Sequence, residues 1–590
     1  MNASQHNAPR SIPSRALRLG AAAAVALLVS ASGGYAQSFT EYPVPTAAAN
    51  PTAITFGPDG NLWFTERDAN KIAKINTAGV VTEFPTLPNN SQGQGSQPLI
   101  IVAAPDGALY FTMTNASRIG KITTSGATSF FNSPTASTDG LTVGPDGNLW
   151  FTEQSANKIG KLNLPGGTVT EFTVPTANSQ PARITLGPDG NLWFSESQAN
   201  KIGRITPAGV ITEFAIPTAN SRPWALRGFY DGNVYFTERN ASKIGVINMS
   251  GVVISELATP TANADPVALN FGPDGNLWFT ELAGNKVARL GAGGNITEVS
   301  VPTAGSAPSS LIVGPDGALW FIEQTGNNIG RFVPLPGSIQ LFAAVLPSSR
   351  SPQVGNAASA FATIINNSPS AATGCRPQPL EFLPFTSVYQ TTDPKTNALS
   401  GTVNTPADIP ANGSQTYVIG ATPNAPFPPT DLRIGFACGN ANAAPIVSGL
   451  DTLLISASTT PVPDIVALSA TLKNDGILHI SGNTGASAFS VATSNAGSTG
   501  VITATPTTGG QTLPLALTIC QTNSASGQCL AAPTASVSTA IPAGGTPTFA
   551  IFGTASGAIA NLPQTNRIVV QFADVGGAVR GATSVAVRTE

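Results

Sequence analysis

One ten-residue phrase, at its fullest Gly-Pro-Asp-Gly-Asn-Leu-Trp-Phe-Thr-Glu, recurs along the first half of the chain. Its Asp falls at Asp59, Asp106, Asp146, Asp189, Asp231, Asp274 and Asp316, at spacings between 40 and 47 residues. A period of this size marks one supersecondary unit repeated, because a single unit cannot bury its own apolar face. Each copy reads as four strands. Ala53-Ile54-Thr55-Phe56 is a short apolar strand, and Pro58-Asp59-Gly60 then supplies a tight turn, with Pro pre-setting φ and Gly accepting the left-handed region. Leu62-Trp63-Phe64-Thr65 is rich in strand formers. Lys71-Ile72-Ala73-Lys74-Ile75 alternates with period two, and Val80-Val81-Thr82-Glu83-Phe84 completes the unit before Pro85. Seven such units predict a seven-bladed β-propeller.

Trp63, Trp150, Trp193, Trp278 and Trp320 hold one position of the repeat, with Tyr110 and Tyr235 in the other two blades. Each is expected to bury against the adjoining blade, worth about 2–3 kcal/mol of transferred area. Thr40-Glu41-Tyr42 matches the fourth-strand phrase Thr82-Glu83-Phe84. It is therefore expected to be the outer strand of the seventh blade, removing the open edge that an arc of sheets would carry.

After Pro336 the composition shifts to Ala, Thr, Ser and Asn, and no charged residue occurs from Gly476 to Asn566. Ile409-Pro410-Ala411 recurs as Ile541-Pro542-Ala543, Ala360-Phe361 as Ala488-Phe489, and Ile339 as Ile465. This duplication predicts two immunoglobulin-like β-sandwich domains, at residues 338–461 and 462–590, behind a propeller at 38–337. Overall the expected fold is all-β. The four cysteines, Cys375, Cys438, Cys520 and Cys529, are not spaced as paired zinc hooks, and two disulfides are expected in an oxidising compartment. Pairing Cys375 with Cys438 would stabilise by roughly 4 kcal/mol through loop closure.

Residues 1–36 read as a signal peptide. Arg10, Arg15 and Arg18 precede an apolar run from Leu19 to Val29, and small residues end at Gly34-Tyr35-Ala36, with cleavage expected after Ala36. That run is too short to span a membrane, and no later stretch is long enough. The protein is expected to be secreted or periplasmic. Only 10% of residues are charged and the formal charge is −3, so no basic excess exists for nucleic acid.

Leu-Trp-Phe-Thr-Glu, followed by Asn-Lys-Ile-Gly-Lys-Ile and Ile-Thr-Glu-Phe, resembles the repeat of the virginiamycin B (streptogramin B) lyases over about residues 38–336. The resemblance implies a seven-bladed propeller and a magnesium-assisted elimination that opens a cyclic depsipeptide at its ester, with a histidine removing the α-proton. It would put the histidines at Val267 and Ser309, an upstream Glu at Ala307 and a downstream Glu at Gln324, so none of the four is retained. The only histidines are His6, inside the signal, and His479, in the second sandwich, where it reads as a strand residue. A positioned base contributes about 10²–10⁴-fold in rate, so catalytic residues of this kind are expected to be absent and no cofactor is expected. Magnesium is expected only if lyase activity survives.

Three features remain as candidate sites. Glu66, Glu153, Glu196, Glu238, Glu281 and Glu323 end the second strand in six blades, with Met113 in the exception. They read either as a carboxylate ring able to hold a cation or as structural acceptors for the Asn-Lys turn nearby. In blade five, Arg222-Pro223-Trp224-Ala225-Leu226-Arg227 leads into Phe229-Tyr230-Asp231 where Gly-Pro-Asp is the rule. Trp224 is expected near the channel mouth as a stacking platform with Arg222 as anion partner, or as a core filler. The insertion Asn89 to Gln97 in blade two reads as a mobile lid or an inert surface loop. No nucleophile elbow, phosphate-cradling loop or metalloprotease helix is present. The leading expectation is an exported recognition protein that binds a small molecule or envelope component at the propeller loop face. The alternatives are a divergent metal-dependent lyase or lactonase-type hydrolase at that face, and a structural protein of the cell envelope.

Overall fold

The computed structural model describes residues 38–590 apart from 134–137, 165, 230–231, 275, 292–293, 335–338, 381–382, 442–443, 445, 447–448 and 564. The signal segment with its cleavage position, His6, Tyr230 and Asp231 therefore lie outside the described residues. Seven four-stranded antiparallel sheets follow the repeat. In blade one the strands are Pro51–Phe56, Leu62–Glu66, Lys71–Ile75 and Val81–Glu83, in that order from the axis outward. The seventh blade combines Pro308–Val313, Leu319–Glu323 and Asn328–Val333 with Ser38–Pro43, whose residues pair from Ser38 with Val333 to Pro43 with Asn328. The ring closes as the sequence predicts.

The repeated tryptophans are buried, and each packs on the next blade: Trp63 with Leu109 and Phe111, Trp150 with Leu192 and Phe194, Trp193 with Val234 and Phe236. Their indole N–H groups explain the invariant turn Asp. Trp63 Nε1 donates to Asp59 at 2.8 Å, Trp193 to Asp189 at 3.0 Å and Trp278 to Asp274 at 2.8 Å, which satisfies a donor that would be costly to bury alone. A second staple ties blades at the rim. In four crossing loops the Thr grips the outer-strand Glu of the next blade through backbone N and hydroxyl: Thr46 with Glu83, Thr176 with Glu213, Thr261 with Glu298 and Thr303 with Glu41, at distances between 2.7 and 3.0 Å.

The C-terminal half forms two sandwiches of identical strand order. The first stacks the sheet Leu341–Leu346, Ala358–Asn366, Ser414–Pro423, Phe385–Thr392 on a five-stranded sheet around one core that includes Leu341, Tyr417, Leu432 and Phe436. The second repeats this arrangement, down to the one parallel pair in each five-stranded sheet. Both disulfides form, Cys375–Cys438 and Cys520–Cys529. Arg350 Nη2 reaches Asp464 at 2.8 Å and Ser351 N donates to the same carboxylate at 2.7 Å, joining the two sandwiches. No helix among the described residues is long and apolar enough to cross a membrane.

The first sandwich sits on the propeller. Arg433 Nη1 donates to Val313 O of blade seven at 3.0 Å, and its guanidinium lies 4.5 Å from the Phe56 ring centre of blade one. Ile446 N donates to Pro315 O at 3.3 Å, and Arg376 donates to Asp274 O of blade six at 3.4 Å. Arg227 of blade five donates to Leu380 O at 3.4 Å. Bare turns let the surfaces approach: Gly147 and Gly190, both at positive φ, leave room such that an added Cβ would meet Pro428 and Ala425 at 3.6 Å. Six blades are thus touched, all at the end that carries the Gly-Pro-Asp-Gly turns.

Candidate functional site

A cavity of about 1140 Å³ runs along the propeller axis. Its walls are the first strands of the blades, and its far end is closed by Leu380, Leu383, Phe427, Pro428 and Arg433 of the first sandwich. The open end lies among the crossing loops. There, the register between first and second strands slips in every blade, for example between Pro181 and Ile184 and between Pro223 and Leu226. A bulge re-aims side chains, and here it delivers Asp139, Arg183, Trp224, Val267 and Ser309 to the cavity wall.

Strand parity decides which side of each blade a residue serves, since neighbours alternate between faces. Phe64 and Glu66 share the face toward the preceding blade, so Glu66 ends beneath the crossing loop and not in the cavity. Glu66, Glu153, Glu196, Glu238, Glu281 and Glu323 are all fully buried, and none lines the cavity. Glu153 accepts from the Ser133 hydroxyl. The other five accept no hydrogen bond among the described residues. The lysine that follows three of them turns instead to the outer-strand Glu, Lys71 to Glu83 at 2.7 Å, Lys201 to Glu213 at 3.1 Å and Lys286 to Glu298 at 2.5 Å, whereas Lys243 donates to Thr218 and Asn328 stands in the seventh blade. Burial first, then the outer-strand carboxylate, pushes Glu196 and Glu281 up to about 8 and Glu66, Glu238 and Glu323 up to about 7. Desolvation disfavours the charged form and an adjacent anion disfavours it further. A protonated carboxyl can then donate to its outer-strand neighbour, so these residues act within single blades.

The residue after five of these six glutamates does reach the cavity: Arg67, Gln154, Arg239, Leu282 and Gln324. Trp224 is the centre of a cationic group. The guanidiniums of Arg183, Arg239 and Arg222 lie 4.7, 5.1 and 5.9 Å from its ring centre. Arg183 is ion-paired with Asp139, and Arg239 holds Asp265 through two contacts of 2.6 Å. Arg222, exposed and at positive φ, has no ion pair among the described residues. Arg67 donates to Gln97 at 3.3 Å, while its Nε is buried with no acceptor. The insertion Asn89 to Gln97 is tied by Asn90 to Gln94 and Asn115, and none of its residues lines the cavity.

The carry-over positions can now be placed. Val267, Ser309 and Gln324 line the cavity, and Ala307 precedes the seventh blade at positive φ, its carbonyl accepting from Gln324 N at 3.2 Å. None of these side chains is an imidazole or a carboxylate. Among the described residues, no three His, Cys, Asp or Glu side chains converge as a metal site. The carboxylates that line the cavity, among the described residues, are Asp139 and Asp431. Mg²⁺ requires several oxygen ligands in near-octahedral array, so the residues present do not fit it.

Comparison with known proteins agrees with the repeat. The sequence profile of the virginiamycin B lyase family matches residues 30–254 and 228–364, together more than half of the chain. The chain belongs to the virginiamycin B lyase family. Solved structures similar to it include a streptogramin B lyase at 33% identity, which covers 50% of this chain and 97% of that one with a TM-score of 0.48. Virginiamycin B lyase from Staphylococcus aureus is 35% identical over 50% of this chain and 99% of its own, also with a TM-score of 0.48. A catalytically inactive variant of the Staphylococcus aureus enzyme with quinupristin is 36% identical, with the same coverage and TM-score. The family match therefore ends near the start of the first sandwich, and the cap on the cavity is an addition to the virginiamycin B lyase propeller.

Sequence reasoning pointed to Trp224 and Arg222 but missed Arg67, Arg183, Arg239 and Asp139. A signal existed for two of them. Glu66-Arg67 and Glu238-Arg239 place an Arg one residue past the end of the second strand, where parity turns it toward the axis.

Proposed function

We propose that this chain is an exported binding protein that takes a small molecule or envelope component into its propeller cavity and performs no elimination. The observation that carries the reading is the wall at Val267, Ser309 and Gln324, which lines the cavity yet offers no group able to remove an α-proton. The family's repeat is nevertheless present in all seven blades, and fold alone does not transmit activity. The two disulfides support an oxidising compartment. Incubating the full-length protein with a streptogramin B antibiotic and Mg²⁺ should leave the lactone closed over hours. Ring opening above the rate of a buffer control would overturn the proposal.

A further inference from the structure

We infer that the cavity is a composite, blind site for an anionic amphipathic organic molecule, an aryl or acyl carboxylate or sulfonate, whose apolar body rests on a floor supplied by the first sandwich. The inference rests on the binding role proposed above and adds its ligand class. Charge is the first argument. Five arginines (Arg67, Arg183, Arg227, Arg239 and Arg433) and two aspartates line the cavity, in a chain whose formal charge is −3. A low-dielectric channel with an excess of one sign of charge focuses its field and concentrates the opposite ion. At the open end Asp139 pairs with Arg183 and Asp265 with Arg239, which leaves Arg67, whose buried Nε has no acceptor among the described residues, as the cation in excess.

Geometry is the second argument. Arg433 with Val313, Ile446 with Pro315, Arg376 with Asp274 and Arg227 with Leu380 set the first sandwich across the turn end of the channel, so among the described residues the entrance is the crossing-loop end. Beneath the arginine lip the wall carries Ile101, Leu226 and Leu269 and ends on Phe56, Phe271 and Phe427, with Arg227, Arg433 and Asp431 beside these rings. A cavity of about 1140 Å³ suits a molecule larger than a simple inorganic anion. Hydrogen bonds to charged partners contribute roughly 1.5–3 kcal/mol, so loss of one such contact corresponds to about tenfold or more in affinity.

The test uses the full-length protein with 8-anilinonaphthalene-1-sulfonate as fluorescent probe, and decanoate and decyltrimethylammonium as competitors of equal chain length. One saturable site is expected, displaced by decanoate and not by the ammonium compound, with affinity falling between 50 and 500 mM salt as screened charge requires. Arg67→Gln should weaken the probe about tenfold. Thr430→Glu, which adds an anion on the sandwich side of the cavity, should weaken it by a similar factor, and Thr430→Gln should not. Equal displacement by both competitors would overturn the charge assignment while leaving a binding role intact. Wild-type affinity in Thr430→Glu would overturn the composite floor, and absence of probe binding would overturn the inference entire. Lactone opening in the antibiotic assay is a separate readout that bears on the binding role alone.

Discussion

The five buried glutamates that accept no hydrogen bond among the described residues make stability respond to pH in the direction opposite to ordinary acid unfolding. Take Glu196, fully buried and pushed up to about 8 by burial and by Glu213. In the unfolded chain it would titrate near 4.5. Between these values the folded protein holds a proton that the unfolded chain has released, so the unfolded state binds fewer protons and stability falls as pH rises. At about 1.36 kcal/mol per pKa unit, the loss attributable to Glu196 between pH 4.5 and 8 is on the order of 4 kcal/mol. Glu196→Gln replaces the neutral carboxyl by a neutral amide of the same shape. It should cost little at pH 5 and raise the propeller's midpoint by roughly 5–10 °C at pH 8.5. All six tryptophans lie in the propeller, so thermal unfolding followed by tryptophan fluorescence from pH 5 to 8.5 reports this transition. Identical slopes for the wild type and Glu196→Gln, or a wild-type midpoint that rises over this range, would refute the reasoning.

Other consequences are open to direct measurement. Trp193→Ala should destabilise the propeller by about 3–5 kcal/mol in denaturant titration, because it empties the contact with Val234 and Phe236 and leaves Asp189 without its indole donor. Thr176→Val removes one inter-blade hydroxyl bond to Glu213 and the contact with Lys201, and should cost about 1–2 kcal/mol in the same assay. Replacing the Cys375–Cys438 pair by Ser should cost more than replacing Cys520–Cys529, about 4 against about 2.5 kcal/mol by loop closure, since the sequence separations are 63 and 9. Calorimetry of the two variants orders them.

Blade count was legible because the turn Asp is stated seven times over, the buried aromatic because it is Trp in five blades and Tyr in two, and ring closure because one outer-strand phrase, Thr40-Glu41-Tyr42, stands ahead of the first blade. The duplicated sandwich was legible because its strands recur, Tyr417 and Phe549 falling at matching places in matching strands, although the register puts Ala360 at the place of Phe489, one residue beyond the Ala488 that the sequence suggested. The buried glutamates were half legible. Their position at the strand end follows from the phrase, but whether a carboxylate there faces the axis or a neighbouring blade depends on parity and on a bulge that no residue type announces. The cap on the cavity was not legible at all. Arg433, Pro428 and Ile446 belong to no repeat of the propeller, and their contacts pair residues more than a hundred positions apart.

Closure of the ring also imposes an order on how the chain becomes a protein. Segment Ser38–Pro43 is synthesised before any blade exists, yet its hydrogen-bonding partner, Asn328–Val333, arrives near the end of the wheel. Contacts this remote in sequence are slow to form, and until they do both strands present raw edges to other chains. The strand made first is the last to be paired, and the interval between the two is when a chaperone would matter most.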